Sequence, residues 1–191
     1  LVLALPAAYA LRAAGLLTPK TFVDIRTRTL TWMVLAPAML GAIVWCPLSA
    51  MLGVTAAALL CYREFARATG LFRYRVLSAL VVLAMLVMAG AMVGGWYGLF
   101  VAVPAMTMAV LAGFAVLPDE PKGYLRRLGL AGTGFLLFGA GLLHLGYIAN
   151  DSRYRPVLCL LLLCVQGSDI AAYCVGKAIG RRKVFPNTSP N

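Results

Sequence analysis

Asp169 has the setting most unusual for an acidic residue in this sequence. It follows an apolar run at 158–165 and lies within, or at the edge of, the last long apolar segment. A carboxylate near membrane depth is energetically expensive and usually faces the interior of a helix bundle or an aqueous cavity. At helical steps of three and four, Gln166, Tyr173 and Lys177 fall on roughly the same face. This stripe suits a metal ion and a phosphate, although a polar helix-packing cluster fits the spacing equally well.

A basic segment follows that helix directly and favours the phosphate interpretation. It covers residues 180–191 and contains Arg181, Arg182 and Lys183. Basic side chains beside a carboxylate-bound cation are suited to a polyphosphate or a lipid phosphate. Attraction to lipid headgroups alone is the alternative, because basic loops of membrane proteins also have that role.

The composition indicates that these residues belong to a polytopic helical membrane protein. Of the 191 residues, 62% are apolar and 12% are charged, and the mean hydropathy is +0.90. A soluble domain of this length needs more polar side chains to cover its surface, so soluble globular, disordered, collagen-like and disulfide-scaffold proteins are excluded. The five cysteines form no CxxC pair, and we interpret them as small buried hydrophobes rather than metal ligands.

We expect an all-α transmembrane bundle of about six to seven spans, because one spanning helix needs about 20 mainly apolar residues. The chain is interpreted as one integral membrane domain, 1–191, that is truncated at both ends. The apolar segments that predict spans are 1–17, 29–45, 48–62, 76–93, 99–117, 128–149 and 157–179. Between them we expect a polar loop at 18–28, a break at Pro47, a turn at 94–98, and loops at 118–127 and 150–156.

Three smaller features carry local predictions. The helix that begins near 48 is expected to continue past the membrane edge, where Glu64 would form a local ion pair with Arg63 and Arg67. His144 is expected to be a hydrogen-bonding group between helices rather than a metal ligand. The glycines of the 128–149 segment are expected to let helices approach closely.

The formal net charge of +11 is distributed unevenly between the two ends of the predicted bundle. Fifteen lysines and arginines fall on one set of loops and two, Arg153 and Arg155, fall on the other. The positive-inside rule assigns the crowded side to the cytoplasm, and a bacterial inner membrane is the expected location. The interleaved basic and aromatic residues of a nucleic-acid surface do not occur outside the apolar segments, so we expect no nucleic-acid partner.

The chain resembles the phosphatidate cytidylyltransferase (CDP-diacylglycerol synthase) family in the segment SDIAAYCVGKAIGRRK at 168–183 and in the Pro186 and Ser189-Pro190 that follow. That family has a similar run of Asp, a small pair, Ala-Tyr, Gly-Lys/Arg, Gly with basic residues, and Ser-Pro-x-Lys-Thr. The Glu64-Phe65 pair after an early helical hairpin is also similar. The family's C-terminal signature is absent from these 191 residues, which implies that the chain by itself is inactive.

The resemblance implies transfer of CMP from CTP to phosphatidate, at a cytoplasmic site on a membrane enzyme. CTP, phosphatidate and bilayer lipid would be the partners, Mg²⁺ the cofactor, and a homodimer the oligomeric state. The implied site consists of Asp169 as metal ligand and catalytic group, Lys177 as catalytic group, and six substrate-binding residues: Ser168, Tyr173, Arg181, Arg182, Lys183 and Ser189.

Two other classes of function remain open on the sequence. One is a transporter or lipid-handling bundle without enzymatic activity, in which Asp169 would be an ion or proton site; transporters often have interrupted helices in paired halves, and no internal repeat is apparent. The other is a related lipid-phosphate kinase that uses the same nucleotide.

Overall fold

The computed structural model describes residues 19–119 and 122–179, and within these ranges it contains helices and no strand. Each helix is in contact with the next one along the chain. Since the connections are short, consecutive helices are antiparallel neighbours. The six long helices are α1 (Pro19–Trp45), α2 (Pro47–Thr69), α3 (Arg75–Val93), α4 (Tyr97–Phe114), α5 (Tyr124–Ala149) and α6 (Arg155–Ile179).

The predicted all-α membrane bundle is confirmed. Among the described residues, four helices, α2 to α5, are long and apolar enough to cross a membrane. They coincide with the predicted segments 48–62, 76–93, 99–117 and 128–149. The predicted segments 29–45 and 157–179 lie within α1 and α6, and 1–17 lies outside the described residues. The predicted loop at 18–28 is wrong, because α1 begins at Pro19, and the loop at 150–156 is shorter than predicted, because α6 begins at Arg155.

The break between α1 and α2 forms where the sequence predicts it. Pro47 occupies the first turn of α2, where a missing N–H does no harm. The Sγ of Cys46 accepts a hydrogen bond from the Ser49 N–H at 3.3 Å, and the Ser49 Oγ accepts one from the Cys46 N–H at 3.2 Å. This reciprocal cap satisfies backbone donors that a helix start leaves open.

The predicted continuation of α2 through Glu64 and Arg67 is also confirmed, since this helix continues to Thr69. It ends at Gly70, whose φ of 72° is a left-handed conformation that favours glycine. A short turn at Leu71–Arg73 then leads into α3. We call the end of the bundle that carries this turn and the α4–α5 connection the basic end.

The predicted loop at 118–127 is wrong in its last part, because α5 begins at Tyr124. Gly123, with a φ of 97°, precedes the helix, and the N–H of Arg127 donates to its carbonyl at 2.9 Å. At the other side of the loop, α4 ends at Phe114, before the predicted limit of 117.

The core lies where α5 packs against α2, α3 and α4, and the predicted close approach of its glycines is confirmed. An added Cβ at Gly132 would lie 2.9 Å from Met108 Cε, and one at Gly146 would lie 2.8 Å from Met92 Sδ. Gly129 has nothing within 4 Å of such a Cβ. Most of these glycines therefore pack against neighbouring helices of the same chain.

A stretch of π-helix, Phe135–Gly141, interrupts α5 near its middle. The wider turn separates two regular α-helical parts, Tyr124–Gly134 and Leu142–Ala149. Hydrophobic periodicity does not predict this feature, because one turn of π-helix changes the spacing of the apolar residues only slightly.

Candidate functional site

The candidate site lies on the second half of α6, and the first half of this helix attaches it to the bundle. Near the start of α6, Leu158 is buried in a small apolar cluster with Ile43, Ala50 and Ala149. Beyond that cluster the side chain of Val165 is half exposed. The attachment therefore positions the helix while the part that carries Asp169 remains accessible.

Asp169 and Ser168 are both exposed on α6. The Ser168 hydroxyl donates a hydrogen bond to the carbonyl of Val165 at 2.8 Å. Its oxygen lone pairs remain available to accept, but donation to a phosphate would require the hydroxyl to leave Val165. The Ser168 hydroxyl, one residue before Asp169, is therefore already oriented by the helix backbone.

The other predicted site residues fall into two groups. Tyr173 and Lys177 lie one and two turns further along α6, and eight residues of helix separate Asp169 from Lys177 by about 12 Å. Arg181, Arg182, Lys183 and Ser189 lie outside the described residues. The helix thus places Asp169, Tyr173 and Lys177 on successive turns of its second half.

The carboxylate on this helix fits a magnesium site in which the protein supplies only part of the ligands and a substrate supplies others. The described residues contain no group of three or more His, Cys, Asp or Glu side chains that could hold a metal ion. Mg²⁺ is commonly held by one or two carboxylates, with water and substrate phosphates completing the shell. Asp169, an exposed carboxylate, is suited to be one ligand of such an open site.

The predicted ion pairs of Glu64 are confirmed at the cytoplasmic end expected for α2. Its Oε1 lies 3.8 Å from a guanidinium nitrogen of Arg63 and 3.9 Å from one of Arg67. All three side chains are more than half exposed, so these pairs contribute little to stability.

Arg127 is a buried cation that the sequence interpretation missed. It was expected in a loop, but its residue is only 2% exposed in the first turn of α5. Its guanidinium carbon lies 5.5 Å from the centre of the Tyr74 ring, and its Nη2 donates to the Ala115 carbonyl at 3.4 Å. Arg127 therefore joins the two connections of the basic end. Its helical spacing from the buried Ala131 and Gly134 is the signal that could have revealed it.

His144 lies towards the opposite end, and its hydrogen bond is within its own helix. Its Nδ1 lies 2.6 Å from the carbonyl oxygen of Ala140, so the prediction of a bond between helices is wrong. The ring meets Phe100 of α4 edge-on, with centroids 4.8 Å apart. The contact between helices at this position is therefore aromatic.

The connection between α5 and α6, also at the opposite end, contains a partly exposed carboxylate. Asp151 Oδ2 accepts a hydrogen bond from Arg153 Nη2 at 2.9 Å, and Oδ1 accepts one from the Arg153 backbone N–H at 2.9 Å. These hydrogen bonds from Arg153 lower the pKa of Asp151. Asp151 is therefore ionised but already satisfied by a neighbour.

The comparison with known families identifies the class to which the chain belongs. The pattern of the cytidylyltransferase family matches residues 26–191, which is most of the chain, and the chain belongs to that family. This agrees with the resemblance seen in 168–190.

The name of a curated relative states no activity. The chain is 30% identical over 93 residues to a protein of Escherichia coli (strain K12) named Uncharacterized protein YnbB. The match covers 46% of this chain and 31% of that protein, so the chain spans less than a third of this relative's length. No solved structure matches the chain.

Proposed function

We propose that this membrane protein transfers CMP from CTP to phosphatidate, which gives CDP-diacylglycerol and pyrophosphate. Membership of the cytidylyltransferase family supports CTP as the nucleotide. The observation that carries the rest is the exposed carboxylate of Asp169 on α6, within a segment that resembles phosphatidate cytidylyltransferases. A related lipid-phosphate kinase or a transporter has no comparable observation in its favour.

The reaction joins two anions. A phosphate oxygen of phosphatidate attacks the α-phosphorus of CTP, the bond from that phosphorus to the bridging oxygen of the β-phosphate breaks, and pyrophosphate leaves. Positive charge must offset the repulsion between the reactants and the charge that develops on the leaving group. A bound Mg²⁺ would supply part of that charge.

The side chains of α6 and the following segment would supply the rest. Asp169 would bind the cation and so orient the phosphates that share it. Lys177, about 12 Å further along the helix, would contact a different phosphate group from the one nearest Asp169. Arg181, Arg182 and Lys183 would hold the polyphosphate, while Ser168, Tyr173 and Ser189 would line the substrates.

The location of these residues would suit both substrates. Phosphatidate is held in the bilayer and CTP is dissolved in the cytosol. The distribution of lysine and arginine predicts that the end of α6 beyond Asp169 faces the cytoplasm. A site at that end, open sideways to the membrane, would reach both molecules.

The test is formation of CDP-diacylglycerol from CTP and phosphatidate by the purified full-length protein, with and without Mg²⁺. We expect Mg²⁺-dependent product and pyrophosphate in equal amounts, and loss of turnover by more than about a hundredfold in Asp169→Asn. Asp151→Asn is the matched control, because it removes a partly exposed carboxylate at the opposite end of the bundle. Membrane insertion of both variants is checked by fractionation.

Wild-type turnover in Asp169→Asn would contradict the role given to this carboxylate. Binding of labelled CTP without product formation from phosphatidate would contradict the substrate but not the nucleotide. A protein that binds no CTP would favour the transporter instead.

A further inference from the structure

A shallow, open groove lies along the outer face of α3 and reaches the basic end of the bundle. Its volume is about 450 Å³. Phe72 and Arg75 lie at its mouth, and Ala79, Val82 and Leu86 follow along its length. Apart from the mouth, the lining is almost wholly apolar.

The helical period of α3 explains why the described residues leave this face uncovered. Its other side forms the centre of the core, where Leu77, Val81, Met85 and Met88 are almost fully buried. The groove residues recur at helical spacing on the opposite side. There Leu86 is 49% exposed. In a membrane-spanning helix, such a face meets lipid rather than water.

The length of the groove matches one leaflet of a bilayer. Eleven residues separate Arg75 from Leu86, which corresponds to about 16 Å of helix. Half of the hydrocarbon core of a bilayer is about 15 Å thick. A single acyl chain that enters at the mouth would therefore end near the midplane, close to Leu86.

The positive charge of Arg75 at the mouth favours a lipid with an anionic headgroup. Arg75 is the one charged side chain that lines the groove in the described part of the chain, and the lining contains no carboxylate. Arg67 and Arg73 are exposed at the same end and extend the positive potential. A guanidinium binds phosphate through two parallel N–H donors, which gives both affinity and orientation.

We propose that this groove binds a phospholipid with an anionic headgroup, with the phosphate at Arg75 and one acyl chain along Ala79, Val82 and Leu86. The groove is formed by α3 and the preceding turn, whereas the proposed reaction centre is on α6. It therefore requires neither CTP nor Mg²⁺. The lipid would be bound as a cofactor of the bundle rather than as the reacting substrate.

Native mass spectrometry of the full-length protein in detergent tests this proposal, with phosphatidylglycerol and phosphatidylcholine as probes. We expect retention of one phosphatidylglycerol in preference to phosphatidylcholine. Arg75→Gln should weaken that retention by about tenfold or more, because it removes the charge-assisted contact with the phosphate. Arg126→Gln is the charge-matched control, because Arg126 is exposed at the same end outside the groove.

A second pair of variants tests the apolar part. Ala79→Trp should fill the groove and displace the lipid, whereas Val87→Trp introduces the same side chain at an exposed position outside the lining. Asp169→Asn should retain the lipid, so failure of the proposed reaction would leave this result unchanged. Equal retention of both lipids, or equal effects of Arg75→Gln and Arg126→Gln, would overturn the proposal. So would a dimer that covers the groove, detected by crosslinking through Ala79→Cys.

Discussion

The side chain of Tyr62 connects three helices. It is almost fully buried in α2, and its hydroxyl donates a hydrogen bond to the Ser78 Oγ of α3 at 3.0 Å. On its other side, a Cβ added to Gly134 of α5 would lie 3.2 Å from the Tyr62 ring. The ring therefore fills a space between helices while the hydroxyl satisfies a polar group inside the bundle.

Tyr62→Phe should lower stability by about 1 kcal/mol, because it removes one buried hydrogen bond and leaves the ring in place. Thermal unfolding of the purified protein in detergent measures the change as a lower Tm. Tyr154→Phe is the matched control, since Tyr154 is 54% exposed in the connection before α6. A Tm for Tyr62→Phe at or above that of the wild type would contradict the importance of the hydroxyl.

Asp169 and Arg127 show how far the sequence alone predicts the role of a single residue. Asp169 stands out in the sequence because a carboxylate in an apolar helix has few structural uses. Arg127 does not stand out, because basic residues are common at the cytoplasmic ends of helices. Only the fold reveals that its guanidinium lies near the Tyr74 ring, since that contact depends on how three helices end.

Arg127→Ala should destabilise the basic end by about 2 kcal/mol or more, because it leaves a cavity and removes the contacts with Tyr74 and Ala115. Arg126→Ala, which changes the adjacent exposed arginine, should stay within about 0.5 kcal/mol of the wild type. Thermal unfolding of the two variants in the same detergent provides the comparison. Equal Tm values would show that burial of Arg127 is energetically unimportant.

At the scale of elements, the glycines of α5 decide how closely the helices pack. A Cβ at Gly134 would lie 2.9 Å from Phe65 Cε1, and both that ring and Tyr62 belong to α2. These aromatic rings are stiff, so the added methyl group would push the two helices apart. At Gly129 the same group would meet nothing within 4 Å.

Gly134→Ala should therefore destabilise the bundle by about 1–3 kcal/mol through overpacking. Gly129→Ala should be neutral or stabilising by up to about 1 kcal/mol, because alanine has the higher helix propensity. The two variants make the same chemical change in one helix, so the sign of each Tm shift tests the packing directly. A fall in Tm for Gly129→Ala as large as that for Gly134→Ala would contradict it.

The elements themselves could be predicted well and their details less well. Apolar runs of spanning length predict α2 to α5, and Pro47 and the glycines at 94–95 predict two of the breaks. The start of α5 was placed four residues late, at 128 rather than at Tyr124, because the polar first turn of α5 resembles a loop. The π-helical stretch at Phe135–Gly141 depends on packing against α2 and α3, which one helix's sequence does not encode.

At the scale of the whole molecule, the charges are organised by the alternation of the helices. Fifteen of the seventeen lysines and arginines fall on one side of the predicted topology. The structure agrees with that alternation across α2 to α5, because consecutive helices are joined by short connections. The basic side includes the mouth of the α3 groove and the end of α6 beyond Asp169. Both proposed phosphate sites would therefore face the same compartment.

Thiol labelling in intact cells tests this orientation. In a background with the five native cysteines replaced by alanine, Ser152→Cys should react with a membrane-impermeant maleimide from outside. Arg73→Cys, at the basic end, should react only after the membrane is permeabilised, because positive charge is retained in the cytoplasm. Lys122→Cys provides a second position at that end and must behave as Arg73→Cys does. The reverse pattern would place Asp169 and Arg75 away from cytosolic CTP, and would contradict the proposed reaction at the level of topology.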